Sequence, residues 1–157
     1  MQLTSSAFQH EGKIPAKFTC DGDNESPEFS WRDAPAETKS FALIIHDPDA
    51  PKPGGFTHWV LYDVPASNGA IMPNVPKEER VAGTGVQGKN DARKTGYMGP
   101  CPPSGTHRYF VRLYALDKEL KLNPGATREQ LEQAIQGHVI EEAELMGTYA
   151  RSSERAA

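Results

Sequence analysis

The chain has 157 residues, with 17 Lys and Arg against 21 Asp and Glu, a formal charge of −4. That length suits one domain, 1–157, and the acidic balance excludes the basic footprint of a nucleic-acid binder. No apolar run approaches the ~18 residues of a membrane span, and 37% hydrophobic with 24% charged residues is a globular composition, not a disordered one.

The N-terminus, Met1 to Ser6, lacks the basic and apolar regions of a signal peptide. Two cysteines, Cys20 and Cys101, are too few for a disulfide framework. Both points make a reducing cytoplasm the expected compartment. Asn24-Glu25-Ser26 matches a glycosylation sequon, but without a secretion signal it reads as a turn. Glycine (14) and proline (13) exceed their usual combined share of about 12%. They punctuate short apolar runs, the pattern of a β-rich chain with many turns.

Ser40 to His46 is almost wholly apolar and reads as a strand buried on both faces. Asp47-Pro48-Asp49-Ala50-Pro51 stops it, because proline lacks an N–H and fixes φ. Lys52 to Gly55 is a turn, and Thr57 to Val64 is a second strand, pairing with the first across a long loop. Residues 83 to 105 form a 23-residue glycine-rich loop with short strand pieces, and loops of that length are usually functional or disordered. Within it, Gly83 to Lys89 has the spacing of a phosphate-binding P-loop. Asn90 stands where a Ser or Thr hydroxyl belongs, and no apolar helical stripe follows. Arg108 to Leu116 is the clearest strand. One helix is expected, capped by Thr127, with Leu131, Ala134 and Ile135 as its apolar stripe and Gly137 as its stop. His138 to Tyr149 reads as a closing strand on the shared parity of Val139, Ala143, Leu145 and Tyr149, and the tail from Arg151 is expected to fray.

Chemistry-bearing residues gather at the predicted strand ends. Asp47 and Asp49 close one strand, His58 opens the next, and His107 and Tyr109, two apart and so on one face, open a third. Any one histidine in such a place is more often structural or solvated. Together they suggest a small donor-rich pocket. An Asp that accepts from one imidazole nitrogen fixes the tautomer and raises the pKa, and the other nitrogen then points a donor at a ligand. The Tyr109 hydroxyl and the backbone N–H groups of Gly99 or nearby add donors, and Phe56 and Tyr97 can wall the site, while Trp59, alternating with His58, reads as core. Phosphate or carboxylate suits such a pocket. The same His and Asp set could hold zinc or iron, although no H-E-x-x-H spacing is present. Four zinc ligands would need histidines from distant places. As nucleophiles, Ser104 lies outside a G-x-S-x-G elbow and Cys101 shows no sign of a lowered pKa.

Asp47-Pro48-Asp49-Ala50-Pro51, His58, Gly99-Pro100-Cys101-Pro102-Pro103 and Thr106-His107-Arg108-Tyr109, in that order, resemble the phosphatidylethanolamine-binding protein family, in its short prokaryotic Raf-kinase-inhibitor-like branch. Phe18 to Gly22, Ser30-Trp31 and Gly85 to Asp91 look like the same branch, and this resemblance accounts for the P-loop-like spacing. It covers about residues 13 to 150. It implies a mainly β fold, a β-sandwich with Greek-key topology and one or two short helices. It also implies a small anion pocket on Asp47, His58, Gly99, Pro103, His107 and Tyr109, with Ala50 and Pro51 as pocket wall and a cis peptide between those two. The longer eukaryotic members carry an extra C-terminal helix, which this chain, ending at Ala157, is expected to lack. Cys101 stands where those members have glycine, and Phe56 where many have tryptophan.

The expected function is non-enzymatic binding of a small phosphate-like or carboxylate ligand, such as phosphate or a phosphorylethanolamine head group, with no cofactor and no metal. Affinity is expected to rise below about pH 6.5, where histidine gains a proton. Two alternatives use the same residues: a protein-interaction module that inhibits a kinase or protease, and a metal-dependent hydrolase. A protein partner and a two-fold homodimer both fit a small sandwich. Glu129, Glu132, Glu141 and Glu142 read as a solvated surface.

Overall fold

Every residue of the strand Ser40–Asp47 is buried, because it lies between two apolar layers. Its odd residues Phe41, Leu43 and Ile45 enter one core cluster, and its even residues Ala42 and Ile44 enter another. The structure, a computed structural model, describes residues 1–151. In chain order its strands are β1 (Gln2–Thr4), β2 (Gly12–Lys13), β3 (Phe29–Arg32), β4 (Ser40–Asp47), β5 (Phe56–Pro65), β6 (Ala70–Ile71), β7 (Arg80–Val81), β8 (Gly85–Gln87), β9 (His107–Leu116) and β10 (Val139–Tyr149). A short 3-10 turn, Ala16–Phe18, follows β2, and one α-helix, α1 (Arg128–Ile135), precedes β10.

The strands form a seven-stranded sheet, β2-β10-β9-β4-β5-β8-β7, and a three-stranded sheet, β1-β3-β6. Strand β9 returns to lie beside β4, giving β9-β4-β5-β8, which is the Greek-key order of a fourth strand beside the first. Only β2 and β10 pair in parallel among the described residues. The larger core cluster unites the inner faces of both sheets, with Leu3, Phe29 and Trp31 from the small sheet meeting Phe41, Leu61, Val111 and Leu145 from the large one. The second cluster lies on the other face of the large sheet, where Leu131 and Ile135 of α1 cover Ile44, Val60 and Tyr62.

Helix α1 starts as its sequence directs. The Thr127 hydroxyl accepts from the Gln130 N–H, and the Gln130 side chain accepts from the Thr127 N–H. Gly137, at φ 82°, takes the left-handed conformation beyond its end. Strand β10 turns Ala143, Leu145 and Tyr149 inward, but Val139 is 40% exposed. A register shift between Val139 and Glu141 breaks the parity there.

Two expectations fail. Cys20 and Cys101 are joined in a disulfide, Cα to Cα 5.4 Å. The Cys20 N–H donates to the Pro100 carbonyl (3.1 Å), so the two segments run side by side and bring the sulfurs together across a separation of 81 residues. The cysteine argument for a reducing compartment therefore falls away. The Ala50–Pro51 peptide is trans, and no described peptide is cis. The Lys52 N–H donates to the Ala50 carbonyl (2.8 Å), a three-residue turn that proline makes in the trans form. Among the described residues no helix is long and apolar enough to cross a membrane.

Candidate functional site

Pairing between β4 and β5 slips twice, once near Asp63 and once between Ile45 and His46. At the second slip Ile45 faces Trp59 while His46 faces Thr57, so His58 is the extra residue of a β-bulge. The bulge defeats simple alternation. His58 and Trp59 both face the inter-sheet side, His58 against the Tyr109 ring (5.3 Å) and Trp59 against the Tyr97 ring (5.6 Å). The bulge thus turns an imidazole toward the end of the sandwich, where β4 stops and β9 begins.

There the chain forms a half-open cavity of about 150 Å³. Of the residues singled out in the sequence, Asp47, Ala50, Pro51, His58, Pro103, His107 and Tyr109 line it together. Phe56, Met98, Pro102 and the disulfide-bonded Cys101 complete a mostly apolar wall. Gly99 does not line it. Its N–H donates to Asn24 Oδ1 (2.8 Å), and a Cβ there would collide with the Phe18 carbonyl at 2.3 Å. Gly99 is a packing residue, not a pocket donor. Tyr97 is likewise outside the wall, its hydroxyl donating to the Phe18 carbonyl (2.6 Å).

The polar atoms are few and held. His107 Nδ1 donates to Asp47 Oδ2 at 2.6 Å, with both side chains buried. Asp47 Oδ1 accepts from the Asp49 N–H (2.8 Å). Asp49 itself turns outward to Arg108, whose Nε and Nη2 lie 2.9 and 2.8 Å from its oxygens. Hydrogen bonds from Arg108 hold the Asp49 carboxyl down at about 2. His58 Nδ1 donates to the Met98 carbonyl (2.7 Å), and the Met98 N–H donates back to the His58 carbonyl (3.0 Å). Burial lowers the His58 pKa, so its ring resists charging. The Tyr109 hydroxyl is buried with no hydrogen-bond partner among the described residues, and burial pushes its pKa up, which keeps it a donor.

His46, unremarked in the sequence, braces this end from the opposite face of the sheet. Its Nε2 donates to the Gly54 carbonyl (2.7 Å), and its Nδ1 accepts from the Thr57 hydroxyl (3.0 Å). It so fastens the loop that carries Ala50 and Pro51. The only sequence signal was its place beside Asp47. With both sulfurs bonded, Cys101 offers no thiol, and Ser104 is exposed and outside the cavity wall. The P-loop-like stretch contains β8, and Gly88 packs against the Ala126 carbonyl, leaving no room there for a phosphate.

The family model for phosphatidylethanolamine-binding proteins matches residues 4–150. The chain belongs to the phosphatidylethanolamine-binding protein family. Its relatives include the UPF0098 protein of Methanothermobacter thermautotrophicus, 51% identical over 96% of this chain and 99% of the relative. Among solved structures, a phosphatidylethanolamine-binding protein homolog from Chlamydia trachomatis, CT736, superposes with a TM-score of 0.88. It is 42% identical and covers 96% of this chain and 97% of its own. Escherichia coli YbcL, described as a member of the mammalian family, superposes at 0.85 with 29% identity, covering 96% and 98%. The phosphatidylethanolamine-binding fold expected from the residue patterns is thus the fold of this chain.

Proposed function

We propose that this protein binds a small ligand bearing a phosphate-like or carboxylate group in the cavity between Asp47, His58, His107 and Tyr109, and that it acts by binding, not by turnover. The observation that carries the reading is the Tyr109 hydroxyl. It is a buried donor with no partner among the described residues, on a residue that lines the cavity, and such a group costs about 1–3 kcal/mol until something accepts from it. A ligand oxygen is the acceptor that fits, and the family name points to a phosphorylated head group as its source. The two imidazoles, each fixed through Nδ1, give the ligand a second and third polar contact in otherwise apolar surroundings.

The test is an NMR titration of the labelled protein with inorganic phosphate and with O-phosphorylethanolamine. Saturable shifts are expected at Asp47, His58, His107 and Tyr109. Tyr109→Phe should weaken binding about five- to tenfold, the worth of one hydrogen bond. Shifts scattered over surface lysines, or none at tens of millimolar ligand, would overturn the proposal.

A further inference from the structure

Each cavity histidine is tied down through its Nδ1. A carbonyl oxygen has no hydrogen to give, so the contact between His58 Nδ1 and the Met98 carbonyl places the ring hydrogen on Nδ1. Asp47 imposes the same tautomer on His107, since its Oδ2 takes the Nδ1 hydrogen and its Oδ1 is already engaged by the Asp49 N–H. In a neutral imidazole the other nitrogen then carries a lone pair. Neither Nε2 has a hydrogen-bond partner among the described residues. Without charging, the two Nε2 atoms are therefore acceptors, set beside the Tyr109 hydroxyl as a donor.

The surroundings decide whether the rings charge. His58 packs against the rings of Phe56 from its own strand and Tyr109 from β9, and it feels the charges of Asp47 and His46 from β4 and of Asp91 from the loop after β8. Asp47 and Asp91 favour the imidazolium, but burial of the ring outweighs them and His46 opposes it. His107 is faced by Asp47, by Asp49 with its partner Arg108, by Tyr109 and, across the β9–β10 ladder, by Tyr149. The wall beyond these groups is apolar: Pro51, Phe56, Met98, Pro102. Among the described residues the lining includes no lysine or arginine, and the Lys52 ammonium lies 5.2 Å from the Phe56 ring without joining the lining.

We infer that the site selects a ligand that brings its own acidic hydrogen. That ligand is a phosphate monoester in its monoanionic form, or an undissociated carboxylic acid, whose O–H donates to a histidine Nε2 while an unprotonated oxygen accepts from Tyr109. The inference rests on the binding function proposed above and adds the protonation state recognised. It also replaces an imidazolium donor at His58 with an imidazole acceptor.

Methyl phosphate and methyl sulfate separate the two. Near pH 5.5 both are monoanions of nearly the same shape, the second ionisation of a phosphate monoester lying near 6. They differ by one O–H. Calorimetric titration of the unmodified protein should find methyl phosphate bound at least about tenfold more tightly than methyl sulfate, since a site built around a ligand hydroxyl rejects the analogue lacking it. Methyl phosphate affinity should then fall about tenfold per pH unit above 7. In the complex, His58 Nε2 should keep the nitrogen-15 shift of a lone-pair nitrogen. Acetic acid forms the second arm. If its affinity tracks the undissociated fraction and exceeds that of methyl phosphate, the ligand source is a carboxylic acid. If methyl phosphate is bound the more tightly, the source is a phosphate monoester. Equal binding of methyl sulfate, or an imidazolium shift at His58, overturns this inference and leaves an anion site standing. Absence of binding by all three probes overturns the binding function as well.

Discussion

Removing the disulfide tests how the pocket rim is held. Cys20→Ser with Cys101→Ser opens a covalent loop joining residues 81 apart. For a loop of that size, chain entropy assigns about 15 cal/mol/K to the cross-link, or about 4.5 kcal/mol at 25 °C, while native disulfides commonly yield 2–4 kcal/mol. A 157-residue chain unfolds with an entropy of about 0.33 kcal/mol/K near 60 °C. The melting temperature should therefore fall by roughly 6–14 °C. The native structure should barely change, because three other contacts hold the same segments together. Tyr97 donates to the Phe18 carbonyl (2.6 Å), the Gly99 N–H to Asn24 (2.8 Å) and the Cys20 N–H to the Pro100 carbonyl (3.1 Å). The loss belongs to the unfolded state, so the urea m-value should rise as the opened chain expands. Differential scanning calorimetry and urea unfolding of the variant, and of the native chain with and without dithiothreitol, read both quantities. Two free thiols in denatured, never-reduced protein would refute the pairing. A fall below 2 °C, with the bond verified in the parent, would refute the unfolded-state argument.

Other outcomes are equally specific. The carbon-13 shift of the Asp49 carboxyl should titrate near 2, and Arg108→Ala should return it toward about 3.9. The stabilisation from this pair is present above about pH 4 and is lost as pH falls through 2, so an unchanged Asp49 midpoint in the variant would refute the coupling. His46 and His58 should both titrate below 6.5 in the folded protein. Between those midpoints and 6.5 the unfolded chain binds more protons, so stability should be fully present above about pH 6.5 and decline below it. A melting temperature flat from pH 5 to 7 would count against this. Thr127→Ala removes the cap of α1 and should cost about 1 kcal/mol, a drop of about 3 °C, and no change would show the cap to be idle. Tyr62→Phe strands the Asn123 carbonyl and the Ala126 N–H, now 2.6 and 3.2 Å from its hydroxyl, and should cost about 1–3 kcal/mol by denaturant titration.

The long strands were legible because burial wrote them into composition. Phe41 to Ile45 is apolar at every position since β4 meets a core on each side, and α1 was legible from its cap and stripe. The small sheet was not. Strand β3 has only Phe29 and Trp31 inward, β1 only Leu3, and β6 only Ile71. Two apolar residues in four cannot establish a period of two. Nor could local patterning find β2, which owes its existence to a parallel pairing with β10 far along the chain.

At the site, residue types were legible and roles were not. Asp47, His58, His107 and Tyr109 stood out because histidines and carboxylates at strand ends are conspicuous, and the structure brings them to one cavity. The bulge at His58 and the turn of Gly99 toward Asn24 depend on partners in other segments, which no local reading supplies. The sharper reversal concerns the imidazoles. Read from the sequence, an Asp beside a histidine leaves the second nitrogen as a donor. That holds only for an imidazolium. With the Nδ1 hydrogen of His58 committed to the Met98 carbonyl, and with burial lowering the pKa of that ring, its uncharged form presents a lone pair instead. On the inference drawn above, a pocket described by residue type as donor-rich becomes one that accepts at His58, and the hydrogen that completes the contact arrives on the ligand.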